Sequence, residues 1–158
     1  MTRPGYHLAE LNIGRLIAPP DDPRVAEFIN AIDGINAIGK RMPGFVWRFT
    51  DESGNATETQ VSNNPRIIVN MSVWEDAKSL EEFVWKTVHE RFYRKRGDWF
   101  DPYGKPHLVM WWVEDGHQPT VSEALMRLGT LQAGGPSGKA FGWESLRDAN
   151  LWREKRCA

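Results

Sequence analysis

Two stretches of the sequence place polar side chains at every second position, where their types could do chemistry together. Glu10 and Asn12 stand two residues apart in one stretch, and Asn70, Ser72 and Trp74 keep the same spacing in the other. Side chains at this spacing share one face of a β-strand. The amides could polarise a carbonyl, the carboxyl could move a proton, and the indole could stack on a ring.

Glu10 has two opposite roles open to it, depending on its surroundings in the fold. Desolvation would raise the pKa of the carboxyl and make it a general base, whereas pairing with Arg48 would lower that pKa. We expect the paired, structural role, with the general base as the alternative.

His89 falls at the edge of an apolar helical stripe, where it could transfer a proton or ligate a cofactor. A packed, hydrogen-bonded histidine is the more common outcome at such a position. The remaining histidines show no metal-binding spacing, such as a pair at i and i+4, and we predict no metal site. They are His7, His107 and His117.

The sequence contains eight tryptophans, which are favoured at interfaces and in ligand cavities but also fill cores. We take Glu10, Asn12, Asn70, Trp74 and His89 as candidate catalytic residues. The candidate substrate-binding residues are Arg48, Ser72, Trp47, Trp112 and Met110.

Periodicity and turn chemistry predict the elements that must position these side chains. Strands are predicted at 6–13, 45–50, 66–74 and 107–113, with a hairpin turn at 51–55. One helix begins after Asp22-Pro23 and ends before Pro43-Gly44. A second helix, opened by a capping box at Ser79, runs to about Phe92, and a third runs from Thr120 to about Leu131.

The order of these elements, β-α-β-β-α-β with an added C-terminal helix, is that of an α+β, ferredoxin-like domain. Right-handed crossovers place both helices on one face of the sheet. We expect Glu10, Asn12, Asn70, Ser72 and Trp74 on the other, open face, covered by a second copy of the chain. The result would be a homodimer around a small-molecule cavity, a dimeric α/β barrel.

Composition excludes several classes of protein. The formal net charge of −1 gives no electrostatic reason to bind nucleic acid or an anionic membrane. Cys157 is the single cysteine, so we expect no internal disulfide. The N-terminus carries no signal-peptide pattern, and we expect a cytoplasmic protein. No catalytic triad, phosphate loop or nucleotide fingerprint is present, which argues against hydrolases, kinases and dehydrogenases.

Four segments resemble an uncharacterised bacterial family of unknown function within the dimeric α/β-barrel superfamily, which includes the antibiotic-biosynthesis monooxygenases. They are His7–Asn12, Pro43–Arg48, Val69–Glu75 and His107–Trp112. The resemblance runs from about Tyr6 to Phe141. It implies a barrel domain over residues 1–142, followed by a tail over 143–158 that can form a helix.

By this resemblance, the expected function is a cofactor-independent monooxygenase that acts on a small, hydrophobic, aromatic or polyketide-like molecule. The haem-degrading branch of the superfamily suggests a second function, haem binding or degradation, in which Asn12, Trp74 and His89 would form the site. The third alternative is a non-catalytic binding module or structural dimer, in which the aromatic residues only form the interface.

Overall fold

The computed structural model describes residues 3–51, 64–102, 104–147, 149 and 151–156. The predicted turn therefore lies, apart from Asp51, outside the described residues. The strands are β1 (Tyr6–Arg15), β2 (Phe45–Arg48), β3 (Ile67–Trp74) and β4 (Leu108–Glu114). The helices are α1 (Ala26–Arg41), α2 (Ala77–Lys86), α3 (Val88–Arg94), α4 (Val121–Gly134) and α5 (Leu151–Arg156).

The four strands form one antiparallel sheet in the order β2-β3-β1-β4. The two central strands, β1 and β3, are joined through the first helix and a hairpin strand, as a split βαβ unit requires. The predicted α+β, ferredoxin-like class is therefore confirmed.

The two faces of the sheet carry different side chains and different helices. On the α1/α2 face, Leu8, Trp74 and Met110 pack against residues of α1 and α2, among them Ile35, Leu80 and Phe83. On the α4 face, Ala9, Leu11, Val69, Met71 and Trp111 pack against Ala124, Leu128 and Leu131 of α4. Because side chains alternate along a strand, Glu10, Asn12, Asn70 and Ser72 share the α1/α2 face with Trp74.

The expectation that this polar face lies open is wrong. It is covered by the chain's own α1 and α2, and the face expected beneath them is covered by α4 instead. Alternation in the sequence separates two faces of a sheet but does not say which face the helices cover. The homodimer stays a prediction, although an open polar face no longer gives the reason for it.

A β-bulge divides the side chains of β2 between the two faces. Phe45 pairs with Trp74 and Trp47 with Val73, so Val46 is the extra residue. Phe45 and Arg48 consequently lie on the α1/α2 face, whereas Trp47 packs on the α4 face.

The predicted second helix is divided at Thr87 into α2 and α3. Thr87 has extended backbone angles, its hydroxyl donates to the Phe83 carbonyl (2.6 Å), and it caps α3 by accepting from the His89 amide (3.2 Å). The start of α2 also differs from the prediction. Asp76, rather than Ser79, is the N-cap, and its Oδ1 accepts from the Ser79 amide at 2.8 Å.

Close contact between α1 and α2 depends on Gly39. A Cβ atom at that position would lie only 3.2 Å from the Phe83 ring. The missing side chain lets Phe83 pack between α1 and the sheet, where it reaches Trp74.

The C-terminal part adds two layers of cover. Thr120 caps α4 as predicted, accepting from the Glu123 amide at 3.0 Å, and the helix continues to Gly134. Beyond it, Leu146 and Ala149 join the apolar cluster that contains Trp74. The amide of Leu151, at the start of α5, donates to Oε2 of Glu81 on α2 (3.2 Å).

Candidate functional site

The strand register brings the candidate residues into neighbouring rows on the α1/α2 face. Glu10 lies opposite Ser72 on one side and Met110 on the other. Ser72 in turn lies opposite Arg48. The next row along the strands pairs Asn12 with Asn70. We call the five residues Glu10, Asn12, Arg48, Asn70 and Ser72 the polar group.

Hydrogen bonds hold the Glu10 carboxyl at the centre of the polar group. Ser72 Oγ donates to Glu10 Oε1 at 2.6 Å, and Asn12 Nδ2 donates to Glu10 Oε2 at 3.2 Å. Trp74 Nε1 donates to Ser72 Oγ at 2.9 Å. Glu10 is only 4% exposed and Ser72 6%, so the bonds from Trp74 to Ser72 and from Ser72 to Glu10 are buried, whereas the bond from Asn12 is partly buried.

Desolvation dominates the electrostatics of Glu10 and raises the pKa of its carboxyl to about 7. The hydrogen bonds from Ser72 and Asn12 and the charge of Arg48 oppose this rise without cancelling it. No ion pair joins Glu10 to Arg48 among the described residues. The expected ion-paired, low-pKa Glu10 is therefore not observed, because burial outweighs a charge that is not in contact.

Two buried polar atoms of the polar group have no hydrogen-bond partner among the described residues. They are Nη1 of Arg48, a donor, and Oδ1 of Asn70, an acceptor. The two side chains are diagonal neighbours on one face, and such neighbours lie about 7–8 Å apart. Buried polar atoms are nearly always paired, so two unpartnered atoms beside one carboxyl make the polar group the candidate ligand site.

Apolar clusters border the polar group on both sides along the strands. At one side lie Leu8, Trp74 and Met110, and at the other lie Ile68, Leu16 and Trp99. A group of polar atoms between apolar walls is the usual composition of a small-molecule site.

The remaining predicted substrate-binding residues divide between the two faces. Met110, directly opposite Glu10, is fully buried, and Trp112 packs beside Phe141 on the same face. Trp47 does not join them, because the bulge in β2 turns its side chain to the α4 face.

His89 stands apart from the polar group. Its Nδ1 lies 3.3 Å from the Val84 carbonyl, and its ring packs at 5.0 Å from that of Phe83. Burial lowers the pKa of His89 to about 4, so the imidazole is neutral at physiological pH. Phe83 separates it from Trp74, and hence from Glu10.

Two residues of the site were not predicted from the sequence. Phe83 stacks on Trp74 with ring centroids 5.3 Å apart, and Asp33 of α1 acts electrostatically on Arg48. Phe83 belongs to an ordinary apolar helical stripe, and Asp33 is one of many exposed acidic residues. Neither carries a signal in the sequence that separates it from its neighbours.

The described residues lack a metal-binding cluster and a membrane-spanning helix. They contain no group of three or more His, Cys, Asp or Glu side chains that could hold a metal ion. No helix in the described part of the chain combines the length and the apolar character needed to cross a membrane.

The fold and the site together define a ferredoxin-like α+β protein with a polar group buried beneath its helices. The chain belongs to the family described as Domain of unknown function (DUF3291), whose model matches residues 7–157. This confirms the resemblance to a family of unknown function, and the match extends beyond Phe141 into the tail. No curated protein matches the chain.

Similar solved structures include proteins of unknown and of named activity. A conserved protein from Methanosarcina mazei Go1 is 14% identical, with 70% of this chain and 93% of that chain covered and a TM-score of 0.49. A protein of unknown function from Nitrosomonas europaea is 10% identical, with 73% and 95% covered and a TM-score of 0.47. A mutant of SnoaB, a cofactor-independent oxygenase from Streptomyces nogalater, is 14% identical, with 71% and 95% covered and a TM-score of 0.46.

Proposed function

We propose that this protein is an enzyme that binds a small aromatic or polyketide-like molecule at the polar group and oxygenates it with dioxygen, without a cofactor. One observation carries the proposal. A buried carboxyl, Glu10, with a pKa of about 7 lies beside a donor on Arg48 and an acceptor on Asn70 that have no partner among the described residues. A carboxyl tuned to neutral pH is suited to general-base work.

The two orphaned atoms indicate the polar pattern of the ligand. Arg48 Nη1 requires an acceptor, such as a carbonyl oxygen, and Asn70 Oδ1 requires a donor, such as a hydroxyl. A buried polar atom without a partner costs about 1–3 kcal/mol, which a ligand that satisfies it recovers. A hydroxyl-bearing aromatic ketone presents both groups on an otherwise apolar body, in keeping with the apolar clusters on either side.

Charges around Arg48 favour a ligand that is neutral when it binds. The carboxylates of Glu10, Asp33 and Asp51 all act on the guanidinium and oppose the lowering of its pKa by burial. A cation already surrounded by three acidic groups gives little net attraction for an anion. The ligand would therefore become charged only after Glu10 has taken its proton.

The chemistry follows from these positions. Glu10 accepts a proton from a carbon conjugated with the ligand carbonyl, and the Arg48 guanidinium stabilises the resulting enolate oxygen. The carbanion transfers its electrons to dioxygen and forms a carbon–oxygen bond, and the resulting peroxide anion takes the proton back from Glu10 to give a hydroperoxide. Loss of water from the hydroperoxide leaves a new ketone. Overall, R₂CH₂ and O₂ give R₂C=O and H₂O. Dioxygen as the second substrate is suggested by the superfamily resemblance.

The residues do not fit the haem alternative. Asn12, Trp74 and His89 would have to face one flat slot, but Phe83 packs against both Trp74 and His89, and Asn12 is bonded to Glu10. We therefore derive no step through haem. The non-catalytic alternative keeps the same ligand site but requires no proton transfer by Glu10.

An oxygen electrode tests the proposal. We expect purified protein to consume one O₂ per molecule of a hydroxy-substituted anthrone, whose ring methylene is acidified by the carbonyl. Glu10→Gln should lower turnover by about 10²- to 10⁴-fold, the usual contribution of a general base. Glu114→Gln, an exposed glutamate at the end of β4, is the matched control and should leave turnover unchanged.

Two results would contradict the proposal. One is a Glu10→Gln variant as active as wild type, since the base would then lie elsewhere. The other is tight anthrone binding by wild-type protein without any oxygen consumption, which favours the binding-module alternative.

A further inference from the structure

The hydrogen bonds from Trp74 to Glu10 run in one direction when the Glu10 carboxyl is ionised. An indole N–H is a donor only, so Trp74 Nε1 donates to Ser72 Oγ at 2.9 Å. The hydroxyl of Ser72 has one hydrogen, and Glu10 Oε1 lies 2.6 Å from its oxygen. An ionised carboxylate can only accept, so the Ser72 hydrogen is directed to Oε1 whenever Glu10 is ionised. Both carboxyl oxygens of Glu10 thus accept hydrogen bonds, the other from Asn12.

The Trp74 ring is held in place by two other aromatic rings. It is 1% exposed, stacks on Phe83 at 5.3 Å and 21°, and meets Phe45 edge-on at 5.5 Å and 82°. A ring packed in this way has no free face on which a substrate could stack. Its one polar atom, Nε1, is directed to Ser72.

We infer that Trp74 is a positioning residue, which orients the Glu10 carboxyl through Ser72, rather than a ring that stacks on the substrate. The functional meaning of this inference rests on the proposed role of Glu10 as a base. The hydrogen-bond relay itself can be tested without any substrate. Trp74 and Ser72 would keep the carboxyl in one rotamer, with its oxygens fixed relative to the orphaned atoms of Arg48 and Asn70.

The charged groups around Glu10 are few and come from several elements. Arg48 on β2 is the charge that acts on it directly, and Arg48 is itself influenced by Asp33 of α1 and by Asp51. On α2, Leu80 and Phe83 in this cluster are apolar, and the buried Glu81 accepts from the Leu151 amide. His89 of α3, with a pKa of about 4, is neutral across the relevant range. The relay is therefore the main local means of favouring the ionised carboxyl.

Nuclear magnetic resonance on the wild-type protein tests the relay directly. The carboxyl carbon of Glu10, assigned by its loss in Glu10→Gln, should titrate with a midpoint near pH 7. The indole N–H signal of Trp74 should move with the same midpoint, because the carboxyl polarises the hydroxyl between them. The buried Trp99, in a different cluster, should not follow it. A Trp74 signal that does not follow the Glu10 midpoint would overturn the inference.

Variants extend the test. Ser72→Ala should raise the Glu10 midpoint by about one pH unit, as the loss of a hydrogen bond to a charged group predicts. Trp74→Phe should raise the Glu10 midpoint by a smaller amount. Ser72→Thr keeps the hydroxyl and should give the wild-type midpoint. Trp111→Phe removes a buried indole from the α4 face and should leave the Glu10 midpoint unchanged. An unmoved midpoint in Trp74→Phe, alongside a shift in Ser72→Ala, would contradict a role for Trp74.

These titrations separate the relay from the proposed reaction. If no anthrone is turned over but the midpoints shift as expected, the relay stands and the oxygenase proposal fails. If turnover depends on Glu10 but the midpoint is the same in Trp74→Phe and wild type, the proposal stands and the relay fails.

Discussion

The two faces of the sheet are built from the same strands but differ in what they bury. The α4 face has an apolar centre, in which Ala9, Leu11, Met71, Trp111 and Val113 are buried. The α1/α2 face buries a carboxyl and a hydroxyl, with two half-buried amides beside them, among apolar clusters. Burying polar groups costs free energy unless they are bonded, and a buried carboxylate costs the most. The α4 face demonstrates that this chain can form a layer with a predominantly apolar interior, so stability alone does not explain the polar group.

This comparison predicts that the largest loss of stability comes from the α4 face. Trp111 is fully buried there, and its Nε1 donates to Glu123 Oε2 at 3.2 Å. Trp111→Ala should lower the free energy of unfolding by about 3–5 kcal/mol, as deletion of a large core side chain does. It should leave ligand affinity unchanged wherever the variant is folded. Urea unfolding measures the free energy of unfolding, and titration calorimetry measures the ligand affinity. A weaker ligand affinity in Trp111→Ala would show that the two faces are not independent.

The pH dependence of stability should reveal the cost of ionising Glu10. The pKa is raised from 4.5 in the unfolded chain to about 7 in the fold, so the folded protein binds the proton more tightly. Stability from this group is complete below pH 4.5 and is lost as the pH rises through 7, by about 3 kcal/mol in total.

Denaturant unfolding of wild type and Glu10→Gln at pH 5 and pH 8 isolates this effect. His89 acts in the opposite direction, because its pKa of about 4 adds stability as the pH rises toward 6.5. Since His89 is present in both proteins, its contribution cancels in their difference. From pH 5 to pH 8, the free energy of unfolding of wild type should fall relative to that of Glu10→Gln by up to about 3 kcal/mol. A constant difference would mean that Glu10 titrates near its ordinary value.

Asn70 should give the smallest loss of stability. Its Oδ1 has no partner among the described residues, so Asn70→Ala removes little and should cost less than about 1.5 kcal/mol. Ligand affinity should nevertheless fall. Asn12→Ala, which breaks the bond to Glu10 Oε2, is the matched comparison and should cost more stability. A loss above about 3 kcal/mol for Asn70→Ala would identify it as a structural residue.

Periodicity was sufficient to predict which residues share a face. Alternation in β1 and β3 placed Glu10 and Asn12 on one side of their strand and Asn70, Ser72 and Trp74 on one side of theirs, and the register then joined the two sets. The sequence could not show that α1 and α2 cover this side, because both faces offer apolar side chains. The local sequence pattern therefore predicts which residues share the site, whereas the burial of the site depends on long-range packing of the helices.

Other differences between the predicted and the observed elements arise from single residues whose local contacts override the hydrophobic periodicity. Thr87 interrupts a helical stripe because its hydroxyl bonds to the Phe83 carbonyl, and Asp76 takes the cap from Ser79. The bulge at Val46 reverses the side of Trp47. The Glu10 environment was also mispredicted, since an arginine on a nearby strand suggested an ion pair that the geometry does not make.

A crystal structure of the protein with a saturating hydroxy-substituted anthrone tests the central claim most directly. The account predicts the ligand on the α1/α2 face, with its carbonyl oxygen bonded to Arg48 Nη1 and its hydroxyl to Asn70 Oδ1. The acidic carbon should lie within reach of the Glu10 carboxyl. A ligand bound elsewhere, with ordered water molecules bonded to both orphaned atoms, would contradict it.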